Sequence, residues 1–236
     1  SFMDAAAPIV MKDSLDMERV FPASRYGRGE ADDYLNVAFT KDEYELFHTE
    51  LVDAKKAIAK DFESKDLFQA CQPVEEIARK GFDALRYGAL KPVGISDPRS
   101  KKRPFAVLQL RAETRAKTSY NLVGFQTNLT WGEQQRVFRL IPGFEEAEFV
   151  RLGVMHKNTF INAPSQVKYS QEHKKFDKLF FAGQILGTEG YTEAIASGLM
   201  AALQIDRKIK GGEPLTLPVH LALGSLYAYA FDENTV

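Results

Sequence analysis

The sequence predicts an α/β protein in which part of a doubly wound domain accompanies an α+β domain. Three patterns support this prediction: a capped amphipathic helix from residue 40, two β-rich runs at 105–110 and 120–126, and a strand, glycine turn and helix at 178–208. Helices and strands in no strict alternation are typical of α+β packing. A strand followed at once by a glycine turn and a helix is typical of doubly wound sheets. The change of pattern predicts a domain boundary near residue 165.

The first predicted helix begins behind a capping box. Thr40 and Glu43 stand three residues apart, so that their side chains can pair with otherwise unsatisfied backbone N–H groups at the helix start. Apolar side chains follow on one face at helical spacing, namely Tyr44, Phe47, Leu51, Ala54 and Ile58. We expect this helix to end near Asp61.

A second, shorter helix is predicted at 73–80. Pro73 suits a first-turn position, Glu75 suits the positive N-terminal end, and Gly81 suits the position after the helix. Cys71 therefore precedes a helix N-terminus, an environment that stabilises a thiolate. A lone cysteine is more often a small buried apolar side chain, so both roles remain open for Cys71.

Strand-like runs fill the middle of the chain. The runs at 105–110 and 120–126 are rich in Val, Leu and aromatic residues and are predicted to form an antiparallel pair. A further strand-like run at 137–141 ends at the turn signal Pro142-Gly143.

The C-terminal segment contains a candidate ligand-binding turn. The run at 178–185 is predicted as a buried strand, and a helix is predicted from Tyr191 to about Lys208. Gly183, Gly187 and Gly190 would allow the backbone to approach a phosphate or a carbonyl edge at the helix N-terminus. Close packing of strand against helix explains these glycines equally well. The G-x-G-x-x-G fingerprint of a complete dinucleotide site does not occur in the sequence.

Composition narrows the functional classes. The net charge is −1, which does not mark the whole chain as a nucleic-acid binder. No apolar run reaches the length of about 18 residues that a membrane span needs. The single cysteine fits a reducing cytoplasm, and four scattered histidines do not show the spacing of a zinc site, so no metal is expected.

One local basic run, within 97–117, departs from this balance. Its cations are Arg99, Lys101, Lys102, Arg103, Arg111, Arg115 and Lys117. Only Asp97 and Glu113 oppose them. A solvated loop and strand edge is the default explanation, and a surface for a polyanion is the alternative.

Several motifs resemble those of one known protein family. The run FAGQILGTEGYTEA at 181–194 is similar to the C-terminal flavin-contacting motif that TrmFO shares with the MnmG proteins. Other runs resemble TrmFO rather than MnmG: DAAAPIV at 4–10, SRYG at 24–27, KPVG at 91–94, DPR at 97–99, YNLVGFQT at 120–127, GEQQRVFR at 132–139, PGFEEAEFV at 142–150 and GVMHKNTFIN at 153–162. Together these runs span nearly the whole chain in the family's order.

The resemblance implies a GidA/MnmG-like FAD-binding domain interrupted by an insertion domain. The implied division places 1–24 and 166–236 in the FAD-binding domain. It places 25–165 in an α+β insertion domain on the tRNA and folate side. In the family an N-terminal Rossmann segment precedes the first matched run, so we expect a fragment that lacks this segment and could use it as a partner in trans.

The resemblance also implies an activity. A methylene group would pass from 5,10-methylenetetrahydrofolate to C5 of a T-loop uridine in tRNA, in the cytoplasm, with hydride from FAD and with NADH or NADPH as reductant. The run FQACQPVE at 68–75 resembles the family segment that holds a catalytic cysteine. Thiolate addition at C6 makes C5 of uracil nucleophilic, so Cys71 is expected either to attack the base or to support a second family cysteine that lies further N-terminal.

The resemblance extends to further site residues. The expected FAD contacts are Gly183, Gln184, Gly187, Glu189, Gly190, Tyr191 and Glu193. His156 and Asn158 are expected at the folate. Arg99, Lys101, Lys102, Arg103 and Arg111 become candidate contacts to tRNA phosphates. Tyr120, Phe125 and Trp131 could stack on an extruded base, although a core position is the default for each.

Two other functions remain open from sequence. An MnmG-like flavoprotein would modify a wobble uridine instead, although the YNLVGFQT and GVMHKNTFIN runs argue against it. A flavin-free RNA-binding module or inactive fragment would explain the missing dinucleotide fingerprint.

Overall fold

The computed structural model describes residues 2–28, 34–58, 72–188 and 190–235. They divide into an N-terminal unit, Phe2–Lys157, and a C-terminal unit, Asn158–Val236. The predicted division at 1–24, 25–165 and 166–236 stays a prediction.

A six-stranded sheet forms the centre of the N-terminal unit. Its strands are β2 (Ile9–Met11), β3 (Val20–Pro22), β4 (Tyr34–Phe39), β5 (Ala106–Ala112), β6 (Ser119–Leu122) and β7 (Phe149–Arg151), in the order β3-β4-β5-β6-β2-β7. Neighbouring strands run antiparallel. A second sheet pairs β1 (Phe2–Ala5) with β8 (Met155–Asn158).

Alternation along the central strands places apolar side chains on both faces of the sheet. On β5, Leu108 and Leu110 join the main core, whereas Val107 joins a smaller cluster on the opposite face. The register pairs Val37 with Leu108 and Ala38 with Val107, so β4 divides its side chains in the same way. The predicted antiparallel pairing of the 105–110 and 120–126 runs is confirmed as β5 with β6.

The predicted first helix is present as α1 (Lys41–Asp53), with the Thr40 and Glu43 capping box formed. Tyr44, Phe47 and Leu51 are fully buried against the sheet. The expected continuation of the helix over 54–58 is wrong, because Ala54 adopts an extended backbone conformation with ψ 147°. The chain then pairs with the segment before the third helix, where the Ala57 amide donates to Asn128 O at 2.6 Å. Residues 59–61 lie outside the described residues.

The predicted second helix is confirmed as α2 (Val74–Ala78), with Pro73 at its N-cap. The prediction of a strand at 137–141 is wrong, because a helix, α3 (Trp131–Phe138), ends within this run. Gln134, Val137 and Phe138 are buried on one side of this helix, and their spacing is helical rather than alternating.

The C-terminal unit is helical, with α4 (Ala163–Gln166), α5 (Tyr191–Ile209) and α6 (Ala222–Phe231). The predicted helix from Tyr191 is therefore confirmed. The predicted buried strand at 178–185 is wrong: Phe180 forms one isolated bridge with Glu172, and Gly183–Leu186 forms a 3-10 turn. Within the described part of this unit, no strand lies beside the run to extend it into a sheet.

Candidate functional site

The glycine turn before α5 brings the predicted ligand-contacting residues together. Gly183, Gly187 and Gly190 have φ values of 73°, 81° and 97°, a region that favours glycine. A cavity of about 380 Å³ lies at the turn, lined by Gln184, Thr188, Gly190, Tyr191 and Ala194. Gly183, Gln184, Gly187, Gly190, Tyr191 and Glu193 thus belong to one local structure, whereas Glu189 lies outside the described residues.

The charge at this turn favours an uncharged ligand edge. The Ala194 amide makes the hydrogen bond to Gly190 O, so the amides at 191–193 precede the helical hydrogen-bond ladder. The Glu193 carboxylate folds back over the same end, because a Cβ on Gly190 would lie 2.0 Å from Glu193 Oε2. A carboxylate at a helix N-terminus offsets its positive end and would repel a phosphate. This end of the helix therefore suits a carbonyl oxygen better than an anion.

The two residues expected at a folate both lie on β8. His156 is exposed on this strand, in the N-terminal unit. Asn158 belongs to the C-terminal unit, where its Oδ1 accepts a 2.8 Å hydrogen bond from Gln184 Nε2. Asn158 is therefore tied directly to the glycine turn.

The basic residues separate into two places on the N-terminal unit. Arg99, Lys102 and Arg103 line a cavity of about 380 Å³ together with Arg19, Thr40, Glu43 and Asp97. Arg111 comes six residues after Phe105, which lines the cavity, and six residues of extended strand span roughly 20 Å. Arg111 therefore lies apart from the cavity. Lys101 lies in the same loop as Arg99 and Lys102 and has a φ of 56°, but it does not line the cavity. Arg19, distant in sequence, was not foreseen as part of this group.

Ion pairs within the protein determine which of these cations could bind an external anion. Arg99 forms a two-pronged contact with Asp97, both of whose oxygens lie 3.0 Å away, and the hydrogen bonds from Arg99 help to lower the pKa of Asp97, although burial opposes this shift. Arg19 Nη2 pairs with Glu43 at 2.5 Å. Lys102 and Arg103 are exposed and form no ion pair with another described residue. These two side chains therefore carry most of the cavity's uncompensated charge.

Cys71 lies outside the described residues, but the segment that follows it is anchored by a buried carboxylate. Glu75 on α2 is fully buried and accepts hydrogen bonds from Thr127 Oγ1 at 2.9 Å and the Asn128 amide at 2.7 Å. Burial raises the pKa of Glu75, and hydrogen bonds from backbone amides and Thr127 oppose that shift. The sequence suggested a helix-terminal role for Glu75 and did not reveal this long-range anchor.

The aromatic candidates have different environments. Tyr120 and Phe125 are buried in the core, as expected by default. Trp131, at the start of α3, is 66% exposed and borders a cavity of about 150 Å³ that also includes Thr127, Asn128 and Met155. The core expectation for Trp131 is therefore wrong.

The described residues show neither a cluster of metal-ligating side chains nor a helix long and apolar enough to cross a membrane. The prediction of no metal site stays a prediction.

The chain resembles known proteins in its family pattern, in its sequence and in its fold. The family model described as glucose inhibited division protein A matches residues 1–213. The methylenetetrahydrofolate–tRNA-(uracil-5-)-methyltransferase TrmFO of Caldicellulosiruptor bescii is 54% identical over 97% of this chain and 52% of its own length. That of Bacillus licheniformis is 52% identical over 99% of this chain and 54% of its own. The chain thus spans about half the length of these relatives, and the predicted resemblance to TrmFO is confirmed.

The fold also matches solved structures. GidA from Aquifex aeolicus, in one crystal form, superposes with a TM-score of 0.61 and 18% sequence identity, over 98% of this chain and 36% of the GidA chain. A second crystal form gives the same score over 38% of the GidA chain. The predicted GidA-like α/β fold is confirmed.

Proposed function

The chain belongs to the glucose inhibited division protein A family, and we propose that it acts in folate- and FAD-dependent methylation of uracil C5 in tRNA. The observation that carries this proposal is identity above 50% over nearly the whole chain with relatives named as tRNA-(uracil-5-)-methyltransferases. The MnmG-like alternative is less well supported, since the solved GidA structures share 18% identity and show the fold alone.

The glycine turn fits a flavin ring better than a phosphate. Backbone at Gly183 and Gly187 is uncrowded, since the nearest atoms to an added Cβ are at 3.8 and 3.9 Å. The amides at 191–193, which precede the helical hydrogen-bond ladder, could donate to a ring carbonyl, and the nearby Glu193 carboxylate would repel a phosphate. When bound, FAD would supply the hydride that completes the methyl group, with NADH or NADPH as its reductant. Gln184 and Tyr191 would border the ring, and we propose the same for Glu189.

Asn158 and His156 would position the folate. Gln184 Nε2 donates to Asn158 Oδ1, so the proposed flavin-contacting and folate-contacting residues are mechanically linked within the C-terminal unit. His156 presents an exposed imidazole, which could stack on the pterin ring.

Cys71 would form the covalent bond to uracil, or would support the cysteine that does. A thiolate adds to C6, electron density moves to C5, and C5 attacks the one-carbon unit; later loss of the C5 proton expels the thiolate. Glu75 anchors the helix that follows Cys71 to the 127–128 segment and so limits the positions that the cysteine segment can reach.

The cationic cavity would contact tRNA phosphates, with Lys102 and Arg103 as its main donors of charge and with Arg111 as a separate contact. The proposal can be tested by measuring tRNA affinity over a range of salt concentrations. Replacing both Lys102 and Arg103 with Ala should reduce the salt slope by about 0.7–0.9 for each lost phosphate contact. The matched control replaces Lys91 and Arg115 with Ala, two exposed cations that do not line the cavity, and so removes the same charge elsewhere. Equal effects of both changes would contradict a role for the cavity.

We further propose that a complete FAD site needs the remaining length of the relatives, joined to this chain or in trans. An apolar stripe on α5 supports this proposal: Tyr191, Ile195 and Leu199 recur every four residues and are 93%, 75% and 62% exposed. We also propose that the reaction takes place in the cytoplasm and that its target uridine lies in the T-arm of tRNA.

Transfer of labelled carbon from 5,10-methylenetetrahydrofolate to an unmodified tRNA transcript tests the activity. The assay should use the chain alone and the chain joined to the remaining part of a TrmFO relative. Label at a T-loop uridine that disappears in Cys71→Ala would support the proposal. Label at the wobble uridine would favour the MnmG-like alternative. Binding of tRNA without any label, in both forms, would favour the flavin-free module.

A further inference from the structure

Gln171 combines two features that cost free energy in a folded protein. It is a non-glycine residue in the left-handed region, with a φ of 65°. Its side chain is completely buried, and Oε1 has no hydrogen-bond partner among the described residues. Unpaired buried polar atoms and strained backbone concentrate where a structure meets a functional demand. Neither feature was visible in the sequence.

The contacts of Gln171 show what this arrangement holds. Its Nε2 donates to Phe181 O and to Ser197 O, each at 3.0 Å. Because both partners are carbonyl oxygens, only the nitrogen of the amide can face them. Its backbone carbonyl accepts from the Phe181 amide at 3.0 Å. One residue therefore joins the segment entering the glycine turn to the middle of α5.

Ser197 and Thr188 extend this network to Gly183. The Ser197 hydroxyl accepts from the Gly183 amide at 2.6 Å and donates to Ala194 O at 2.8 Å. The Thr188 hydroxyl donates to Gly183 O at 2.8 Å. Both side chains are at most 1% exposed. Both backbone polar groups of Gly183 are thus held by buried hydroxyls, which leaves the turn little freedom.

We propose that Gln171 is a positioning residue, which sets the glycine turn at 181–188 against α5 through Ser197 and Gly183. It contacts no reacting group. Its importance for a ligand rests on the proposed function, because the turn it holds is the proposed flavin site. Its effect on the turn itself does not rest on that function.

Comparing variants of two buried glutamines can distinguish a positioning role of Gln171 from a general effect on stability. Gln204, also on α5 and 2% exposed, makes two hydrogen bonds through its side chain, to the amide and carbonyl of Leu215 at 2.8 and 2.7 Å. Gln171→Met and Gln204→Met each remove two hydrogen bonds from a buried site. Only the first removes contacts to the glycine turn.

The measurements are amide hydrogen exchange of peptides covering 181–190 in the chain, and titration with FAD of the chain joined to the remaining part of a TrmFO relative. Gln171→Met should accelerate exchange at 181–188 by about tenfold and weaken FAD binding by a similar factor. Gln204→Met should accelerate exchange near Leu215 and leave both readouts of the turn unchanged. Ser197→Ala should behave like Gln171→Met, and Ser197→Thr, which keeps the hydroxyl, should restore protection of Gly183.

Unchanged exchange at 181–188 in Gln171→Met, or an equal change in both glutamine variants, would overturn the inference. So would FAD binding by the joined protein that Gln171→Met leaves at full affinity. The proposed function fails in a different way: the unaltered chain, joined to the remaining part of a relative, would bind no FAD while the exchange contrast between the glutamine variants persisted.

Discussion

Replacing Gln134 with Met should destabilise the N-terminal unit strongly. Gln134 lies on α3 and is completely buried. Its Nε2 donates to Leu129 O at 2.8 Å and to Gly153 O at 2.9 Å, and its Oε1 accepts from the Gly153 amide at 2.7 Å. One side chain therefore holds both the segment leading to Trp131 and the segment leading to β8, which carries His156.

The size of the effect follows from these contacts. Met has nearly the same shape as Gln but offers no comparable donor or acceptor, so the change removes three hydrogen bonds without opening a large cavity. At about 1 kcal/mol for each hydrogen bond, the free energy of unfolding should fall by about 3 kcal/mol. Burial of the more apolar Met side chain would by itself raise the free energy of unfolding. The buried backbone groups that lose their partners cost free energy, and this cost keeps the net loss near the stated value.

Urea unfolding followed by circular dichroism and by the fluorescence of Trp131, the single tryptophan, would measure this loss. The unfolding midpoint should move down by about 1 M or more. Gln135→Met is the matched control, because Gln135 is the adjacent residue on the same helix and is exposed. A loss below about 1 kcal/mol in Gln134→Met, or an equal loss in the control, would refute the reasoning.

Two further predictions concern pH and packing. The hydrogen bond from Lys208 lowers the pKa of buried Glu172 to about 2, from an ordinary value of 4.5, so its stabilising contribution should be complete above pH 4.5 and disappear toward pH 2. The stability difference between the unaltered chain and Glu172→Gln should therefore shrink over this range; a difference independent of pH would contradict the assignment. Gly153→Ala should destabilise the chain, because an added Cβ would lie 2.5 Å from Thr127 Cγ2, whereas Gly132→Ala adds a Cβ with nothing within 4 Å and should be tolerated. Thermal unfolding of the two variants would decide, and similar melting temperatures would count against the packing argument.

Local signals predicted the elements that local interactions stabilise. The Thr40 capping box and the apolar face behind it correctly placed α1, and a glycine turn before a long amphipathic run correctly placed α5. The strand predicted at 178–185 failed because burial of an apolar run depends on which elements lie beside it. Helix α3 was missed because Val137, Phe138 and Ile141 favour strands by composition, while their burial follows helical spacing.

The candidate site was predictable only in part for the same reason. The glycines before α5 could be found from sequence, since positive φ values favour a residue without a Cβ. The side chains that hold them could not be found, because Gln171 and Ser197 are separated by 26 positions. The contact between Gln134 and Gly153 in the N-terminal unit spans 19 positions and was hidden for the same reason. Arg19 joins the cationic cavity through tertiary packing alone, and no local pattern marked it.

We propose that the turn before α5 holds the isoalloxazine ring of FAD. The most direct test is the visible absorption spectrum of the chain, joined to the remaining part of a TrmFO relative, after incubation with FAD and removal of free flavin. We predict retained flavin bands that are shifted from those of free FAD. A colourless protein after the same treatment would contradict the claim.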